Sequence, residues 1–512
     1  MKTEYSKKEQ TALYKKFDLL QQKLIPLWEQ IGRSDPGGNF IEDENTMVVL
    51  PSLTVDIALD FASQQAYEER MFFMLFLLRQ PNVRIIYLTS APIQQEIIDY
   101  YLDILPSVTI SSARKRFVNI SPNDLSDRPL VAKLLERPKL MEEIRNAIPN
   151  KNMAHVAPFL TTDLERDFAV QLGIPMYAAD PRFEAFGTKS GCRKIFAEEG
   201  VQHPEGMENV FSEEDLINAI TEMRINKPEI EKVIVKHNDG ISGFGNASLN
   251  LSDLPAPESV DAKDALKDRL KELNFELAEI KYDWYMEQLQ EKGGIVEELI
   301  SGEFVFSPSV QLRITPLGEV ELLSTHDQIL GGPNGQTYMG ARFPANPEYG
   351  PMITREAEKI GKRFAKEGVI GRFALDFIVV RSRWRWEQYA IEVNLRKGGT
   401  THPYLALLFL TGGKFNATTG VYKTLQGHSK YYVVTDALKS KAFKNLTPNA
   451  IFDLVSEHRL HFDHTSHTGI VLHMLSSIST LGKLGLTAIA NTPEQAEELY
   501  QKFVEVLEKA AN

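Results

Sequence analysis

The stretch YAIEVNLRKGGTTHP, residues 389–403, constrains this chain more than any other. Glu392, Asn394 and Arg396 alternate strictly with Ile391, Val393 and Leu395 before a double glycine. Successive strand side chains point to opposite sides, so one face is apolar and the other carries a carboxylate, an amide and a guanidinium. Upstream, GRFALDFIVV reads as a second strand, separated from the first by the polar turn RSRWRWEQ. A hairpin turning near Trp384 sets Asp376 opposite Glu392, Ala374 opposite Asn394 and Arg372 opposite Arg396. Opposed like charges repel unless something of the other sign lies between them. A divalent cation resolves the first clash and a phosphate the second; the competing reading is a solvated face at a sheet edge. Asp376, Glu392 and Asn394 offer the hard oxygens magnesium prefers. The planar fork of Arg396, with Arg372 beside it, suits phosphate or carboxylate.

A length of 512 residues points to about three domains at ~150 residues each. The composition, 43% hydrophobic and 25% charged, is that of a globular protein. A net charge of −12 argues against a dedicated nucleic-acid binder. The single cysteine, Cys192, excludes an intramolecular disulfide and a cysteine-rich zinc site, and reads as ordinary helix packing. The charged start lacks the pattern of a secretory signal, and the apolar run MFFMLFLL is far shorter than a membrane span. The expectation is a cytoplasmic protein with neither membrane nor nucleic acid among its partners. A homo-oligomer is left open.

Residues 1–180 alternate apolar and helical runs. TMVVLPSL, VRIIYLTS, MAHVAPFL and GIPMYAAD read as strands, AYEERMFFMLFLLRQ and IQQEIIDYYLDIL as helices, a layout that predicts a helix-covered parallel sheet. No G-x-G-x-x-G follows the first strand, so a nicotinamide cofactor is not expected. Residues 181–428 change to helix, strands, the amphipathic helix in LPAPESVDAKDALKDRLKELNFELAEI, and more strands. Residues 429–512 return to alternation and close with a helix opened by Thr492 and Pro493.

KVIVKHNDGISGFGNASLNL supplies a strand ending in Lys236 and a loop with Gly243 and Gly245, whose bare backbone lets amides approach phosphates; a plain hairpin turn is the alternative. In GIVEELISGEF, Glu297, Glu298 and Glu303 are either edge-strand charges or a hinge that reads an adenine and its ribose.

In order, the lysine of FGTKSGCRKIF, the strand lysine with its glycine loop, VEELISGEF, a strand with an aspartate, and EVNLR resemble the ATP-grasp superfamily of ATP-dependent ligases. STHDQILGGPNGQTYMGARFPA and EVNLRKGGTTHP are similar to the pheganomycin-type peptide ligases. The resemblance implies a multidomain α/β and α+β protein: a Rossmann-like pre-ATP-grasp domain (1–180), an ATP-grasp core (181–428) and a small α/β domain (429–512). It implies that Lys189 and Lys236 hold ATP, that Glu297 and Glu303 serve the hinge and ribose with Glu298 the rival for the first role, and that Asp376, Glu392 and Asn394 bind Mg2+, with Mn2+ as a substitute. Arg396 would contact the transferring phosphate, helped by Arg372, and Arg313 the acceptor carboxylate or acyl phosphate. The implied reaction joins a small-molecule carboxylate to an amine, the acceptor being an amino acid or a peptide, through an acyl phosphate with release of ADP and phosphate.

A long loop over 325–344, carrying His326, Gln328, Gln336, Tyr338 and Arg342, is expected to select the substrate together with Gly399, Thr400, Thr401 and His402. Two rival functions, a non-catalytic ATP-binding module and a metal-dependent hydrolase, stand against the ligase. The run His458, His461, His464, His467 and His473 invites a zinc site, but its spacing does not set two histidines on one rigid face. RSRWRW invites nucleic-acid stacking, but in an acidic chain it reads as a solvated turn.

Overall fold

Apolar runs that bury both faces of a strand need helices on both sides, and the N-terminal third meets that need. In the computed structural model, which describes residues 6–32, 44–55, 60–105, 108–240, 243–277, 279–382 and 385–511, strands β1 (Asn45–Leu50), β2 (Val83–Leu88), β3 (Phe117–Ile120) and β4 (Ala154–Pro158) form a parallel sheet in the order β3-β2-β1-β4. The strand expected in GIPMYAAD reduces to a single bridge between Met176 and Val156. Pro175 has no N–H to give a ladder, and the chain turns away at Asp180. The helix expected in AYEERMFFMLFLLRQ is an α-helix, Phe61–Glu69, that tightens into a 3₁₀ segment, Arg70–Arg79. Most side chains of that segment are buried, because it is covered by the parallel sheet on one side and by C-terminal elements on the other.

An antiparallel sheet follows, built from β5 (Gly206–Val210), β6 (Lys232–His237), β7 (Asn246–Asn250), β8 (Asn274–Phe275) and β9 (Gly294–Glu298) in the order β5-β9-β6-β7-β8. Its own core contains Val233, Tyr285, Val296 and, from the expected amphipathic helix (Ala262–Leu270), Leu266 and Leu270.

The largest sheet contains β10 (Val305–Phe306), β11 (Pro308–Ile314), β12 (Val320–Gly331), β13 (Thr337–Phe343), β14 (Gly371–Ser382) and β15 (Arg385–Asn394). After a small hairpin, β16 (Lys414–Asn416) and β17 (Val421–Lys423), it continues with β18 (Tyr431–Lys439), β19 (Gly469–His473) and β20 (Lys483–Ala490). The order is β10-β14-β11-β12-β13-β18-β20-β19, with β15 also on β14. Residues 429–512 are therefore not set apart from the core: β13 pairs with β18 from Gly340↔Thr435 to Phe343↔Tyr432. One apolar cluster runs through Phe72 of the 3₁₀ segment, Phe343 of β13, Leu405, Leu486 of β20 and Leu507 of the last helix. That helix, Pro493–Ala511, is capped as expected, the Thr492 hydroxyl accepting from Gln495 N at 3.2 Å. Among the described residues no helix is long and apolar enough to cross a membrane.

Candidate active site

A cleft of about 1220 Å³ opens between the five-stranded and nine-stranded sheets and reaches the N-terminal unit at Arg70 and Phe159. The β14–β15 hairpin floors it. Its register pairs Asp376 with Glu392 and Ala374 with Asn394, as the alternation predicts; the turn at Trp384 lies outside the described residues. The pairing stops at Asn394, so Arg372 faces Arg313 of β11 and not Arg396.

The two carboxylates share one amide. Asn394 Nδ2 donates to Asp376 Oδ2 at 2.9 Å and to Glu392 Oε1 at 2.8 Å, while Lys189 Nζ forms an ion pair with Glu392. Burial, then the neighbouring Glu392, raises the Asp376 pKa. Burial also pulls Glu392 upward, but Lys189 outweighs it and holds Glu392 below the usual carboxylate range. Arg396 Nη2 donates to Asn394 Oδ1 at 2.9 Å, so the stripe Glu392–Asn394–Arg396 is one hydrogen-bonded chain along the cleft. Two carboxylates with a lysine as the nearest counter-charge form a hard donor pair that fits Mg2+ or Mn2+; the Asn394 amide turns its nitrogen toward them and its oxygen toward Arg396, so it joins that set by rotating about its Cβ–Cγ bond.

At the other end, Lys189 is the first residue of a helix, Lys189–Glu198, capped by Thr188, whose hydroxyl accepts from Gly191 N at 3.0 Å. Its Nζ also donates to Gly240 O at 3.3 Å, which ties the glycine loop to the hairpin. Lys236 Nζ lies 2.5 Å from Glu297 Oε1, and Arg193 Nη1 donates to Glu297 Oε2 at 3.0 Å. Glu297, which lines the cleft, is thus a buried counter-ion for two cations. Glu298 points to the other side of β9, lines the cleft, and pairs with Lys227 at 2.7 Å. Glu303, expected to serve the ribose, is exposed and does not line the cleft. Gly243, at φ +84°, faces the cleft; Gly245, at φ +87°, packs against the His237 ring. Leu299, Val305 and Phe306 add an apolar wall.

The segment expected as a long loop is the hairpin β12–β13, because both arms alternate and only 332–336 form the glycine-rich tip. Glu276 anchors that tip to the five-stranded unit, accepting from Thr337 Oγ1 at 2.8 Å and Asn334 N at 3.1 Å. Gln328, Gln336, Tyr338, Gly399 and Thr400 line the cleft. His326, Thr401 and His402 do not: they are buried behind the wall, bonded respectively to Tyr432 Oη at 2.6 Å, Gln311 Oε1 at 3.0 Å and His473 Nε2 at 3.1 Å. Arg313 and Arg372 are also off the cleft, beyond the end of the β15 pairing. Arg313 forms an ion pair with Glu321 and stacks 5.1 Å from the Trp28 ring.

Sequence reading missed Arg70, Asp436 and Lys483, all of which line the cleft. The findable signal was Asp436, a carboxylate in the apolar strand YYVVTDALK. Of the histidine run, His458, His461 and His464 are exposed, whereas His473 gathers with His402 and Asp436, their ligand atoms within 4.8 Å of one another. Burial pushes the Cys192 thiol up to about 11, which keeps it protonated at neutral pH.

The family described as IQCH-like, ATP-grasp matches residues 182–281 and 274–418, and the PGM1 C-terminal domain family matches 450–503. The L-propargylglycine–L-glutamate ligase of Streptantibioticus cattleyicolor is 28% identical over 439 residues, 84% of this chain and 86% of that protein. The IQ motif-containing protein H of Danio rerio is 24% identical over 388 residues, 67% of this chain and 36% of that protein. Among solved structures, the biotin carboxylase domain of Hydrogenobacter thermophilus 2-oxoglutarate carboxylase with MgADP superposes at TM-score 0.54 and 12% identity, covering 91% of this chain and 90% of its own. An N5-carboxyaminoimidazole ribonucleotide synthetase bound to ADP gives 0.51 and 12%, covering 92% and 99%. The matched family model, the three-sheet fold and the cleft between its sheets agree, and residues 182–418 are an ATP-grasp domain.

Proposed function

We propose that this protein is an ATP-dependent carboxylate–amine ligase that forms an acyl phosphate and releases ADP and phosphate. The observation that carries the reading is the Asp376–Glu392 pair, bracketed by Lys189 on one side and Asn394 with Arg396 on the other, at the floor of one continuous cleft. The relative named as an L-propargylglycine–L-glutamate ligase supports the same reading.

A carboxylate does not acylate an amine at neutral pH, because the oxygen that must leave is too basic. One carboxylate oxygen therefore attacks the γ-phosphorus of ATP, and the bond to ADP breaks. Lys189 and Lys236 bind the phosphates and offset their charge, and Gly243 lets the loop backbone approach them. Asp376, Glu392 and Asn394 would hold a divalent cation, which would supply charge neutralisation for the phosphoryl transfer. Arg396 holds the acyl phosphate in place. The amine then attacks the carbonyl carbon and phosphate leaves. No step requires a protein nucleophile. Gln328, Gln336, Tyr338 and Thr400 shape the substrate end of the cleft. A metal-dependent hydrolase would have no use for the Lys236–Glu297–Arg193 ion group beneath the phosphate end.

The test is ADP formation from ATP and magnesium across a panel of carboxylic acids, with hydroxylamine trapping the acyl phosphate as a hydroxamate. At least one acid yields ADP and hydroxamate together, and Arg396→Ala abolishes both. AMP and pyrophosphate as products would refute the acyl-phosphate route.

A further inference from the structure

Three groups that the ligase reading leaves unused meet at the end of the cleft away from Lys236. Arg70, from the 3₁₀ segment, and Lys483, from the start of β20, both lie over the Tyr67 ring, with Arg70 Cζ at 4.7 Å and Lys483 Nζ at 5.7 Å from its centroid. Asp436 of β18 is 5% exposed, and its Oδ2 accepts from Arg70 Nη1 at 2.8 Å. Its Oδ1 accepts from His473 Nε2 at 2.7 Å and lies 3.3 Å from His402 Nε2. All three charged side chains line the cleft.

Beside them stands Tyr338. Its hydroxyl is buried and has no hydrogen-bond partner among the described residues, and it sits within the fields of Asp436, Arg70 and Asp376. A buried hydroxyl left unpaired is costly, so a group from outside the chain is the natural partner. Gly399 keeps the ring where it is: a Cβ there would lie 2.6 Å from Tyr338 Cε1. Lys483 has no carboxylate partner among the described residues. The corner therefore offers one fixed carboxylate, one open hydroxyl and two cations, an inventory that complements a molecule carrying an ammonium and a carboxylate together.

We propose that this corner is the acceptor subsite and that the acceptor is an α-amino acid. Its ammonium lies against Asp436 and Tyr338 Oη, and its carboxylate against Lys483 and Arg70. This rests on the ligase reading and specifies which amine that ligase uses. His402 and His473 are positioning residues that hold the Asp436 carboxylate at the cleft wall. The converging His402, His473 and Asp436 also resemble a metal site, but Arg70 already occupies one Asp436 oxygen, and His402 Nδ1 lacks the partner that orients a ligating imidazole.

The test is calorimetric titration of the full chain, with magnesium and a non-hydrolysable ATP analogue, by α-amino acids, their decarboxylated amines and their N-acetyl derivatives. At least one α-amino acid binds, and its decarboxylated and N-acetylated analogues bind about tenfold more weakly or worse. Lys483→Met lowers affinity for that amino acid about tenfold and abolishes the preference over the decarboxylated amine. Asp436→Asn, if folded by thermal melt, abolishes the preference over the N-acetyl derivative. Absence of α-amino acid binding, or undiminished binding by Lys483→Met, overturns the proposal. So does stoichiometric metal in the purified protein that His473→Ala removes. The hydroxamate assay needs no acceptor, so failure of the ligase reading is detected separately.

Discussion

The Asn394 amide joins Asp376, Glu392 and Arg396, donating to both carboxylates and accepting from the guanidinium. Replacing Asn394 by alanine leaves Asp376 and Glu392 opposed with only the Lys189 pairing of Glu392 to offset them, and leaves Arg396 held by its bond to Lys397 O alone. Asn394→Ala should lower kcat for ADP formation by about 10²-fold, the scale seen on removing one preorganised electrostatic group, with a folded protein by circular dichroism. Strand alternation made the shared face of Glu392 and Asn394 legible in the sequence, whereas the pairing of Asp376 with Glu392 also depends on a bulge at Asp376/Phe377 that shifts the register by one residue. Arg372 and Arg313 were not legible, because alternation says which face a side chain takes but not where a ladder stops. On β14, two residues beyond the last β14–β15 pair, Arg372 no longer lines the cleft, whereas Arg396 at the same offset on the other arm does.

Elements carry these residues to the site, and their ends matter more than their middles. Lys189 opens its helix, so its direction depends on the Thr188 cap. Thr188→Ala should cost about 1 kcal/mol of stability by urea denaturation. The same variant should raise the KM for ATP more than that for the acid, since the helix start and Lys189 loosen together. The β12–β13 hairpin shows the limit of composition as a guide. Glycine and amides suggested a long loop, but the two arms alternate well enough to pair, and only the tip is irregular. The buried Glu276 that pins the tip comes from 58 to 61 residues earlier in the chain and has no local signature.

Across the whole molecule, the C-terminal segment is part of the core and not an appendage. A chain ending at residue 428 would expose the β13 edge and open the cluster that holds Phe343 and Leu405. That truncation should be insoluble or unfolded by circular dichroism and bind no ATP, whereas a separable domain would leave ATP binding intact. Burial also sets an acid limit. It lowers His155 and His237 to about 4 and His326 to about 3, from 6.5. The unfolded chain takes up these protons near its ordinary histidine pKa and the folded chain does not. Stability is therefore fully present above about 6.5 and falls as pH drops toward 4, by about 1.4 kcal/mol per pH unit for each histidine. Urea titrations across that window should show the loss, and His155→Gln should reduce the slope by about one proton.

The sequence by itself determined the parallel N-terminal unit and the shared face of Asp376, Glu392 and Asn394 on the β14–β15 hairpin. Each depends on periodicity or on neighbours within one hairpin, where chain geometry alone dictates what meets what. Tertiary structure alone decided that Glu297 is a counter-ion, that Glu303 and Arg313 stand aside, and that Arg70, Asp436 and Lys483 converge. Those three lie on a 3₁₀ segment and two strands separated by 366 and then 47 residues, and only the shared core behind them brings their charges together. Burial and charge pairing act between side chains in space, and a linear pattern does not record that distance.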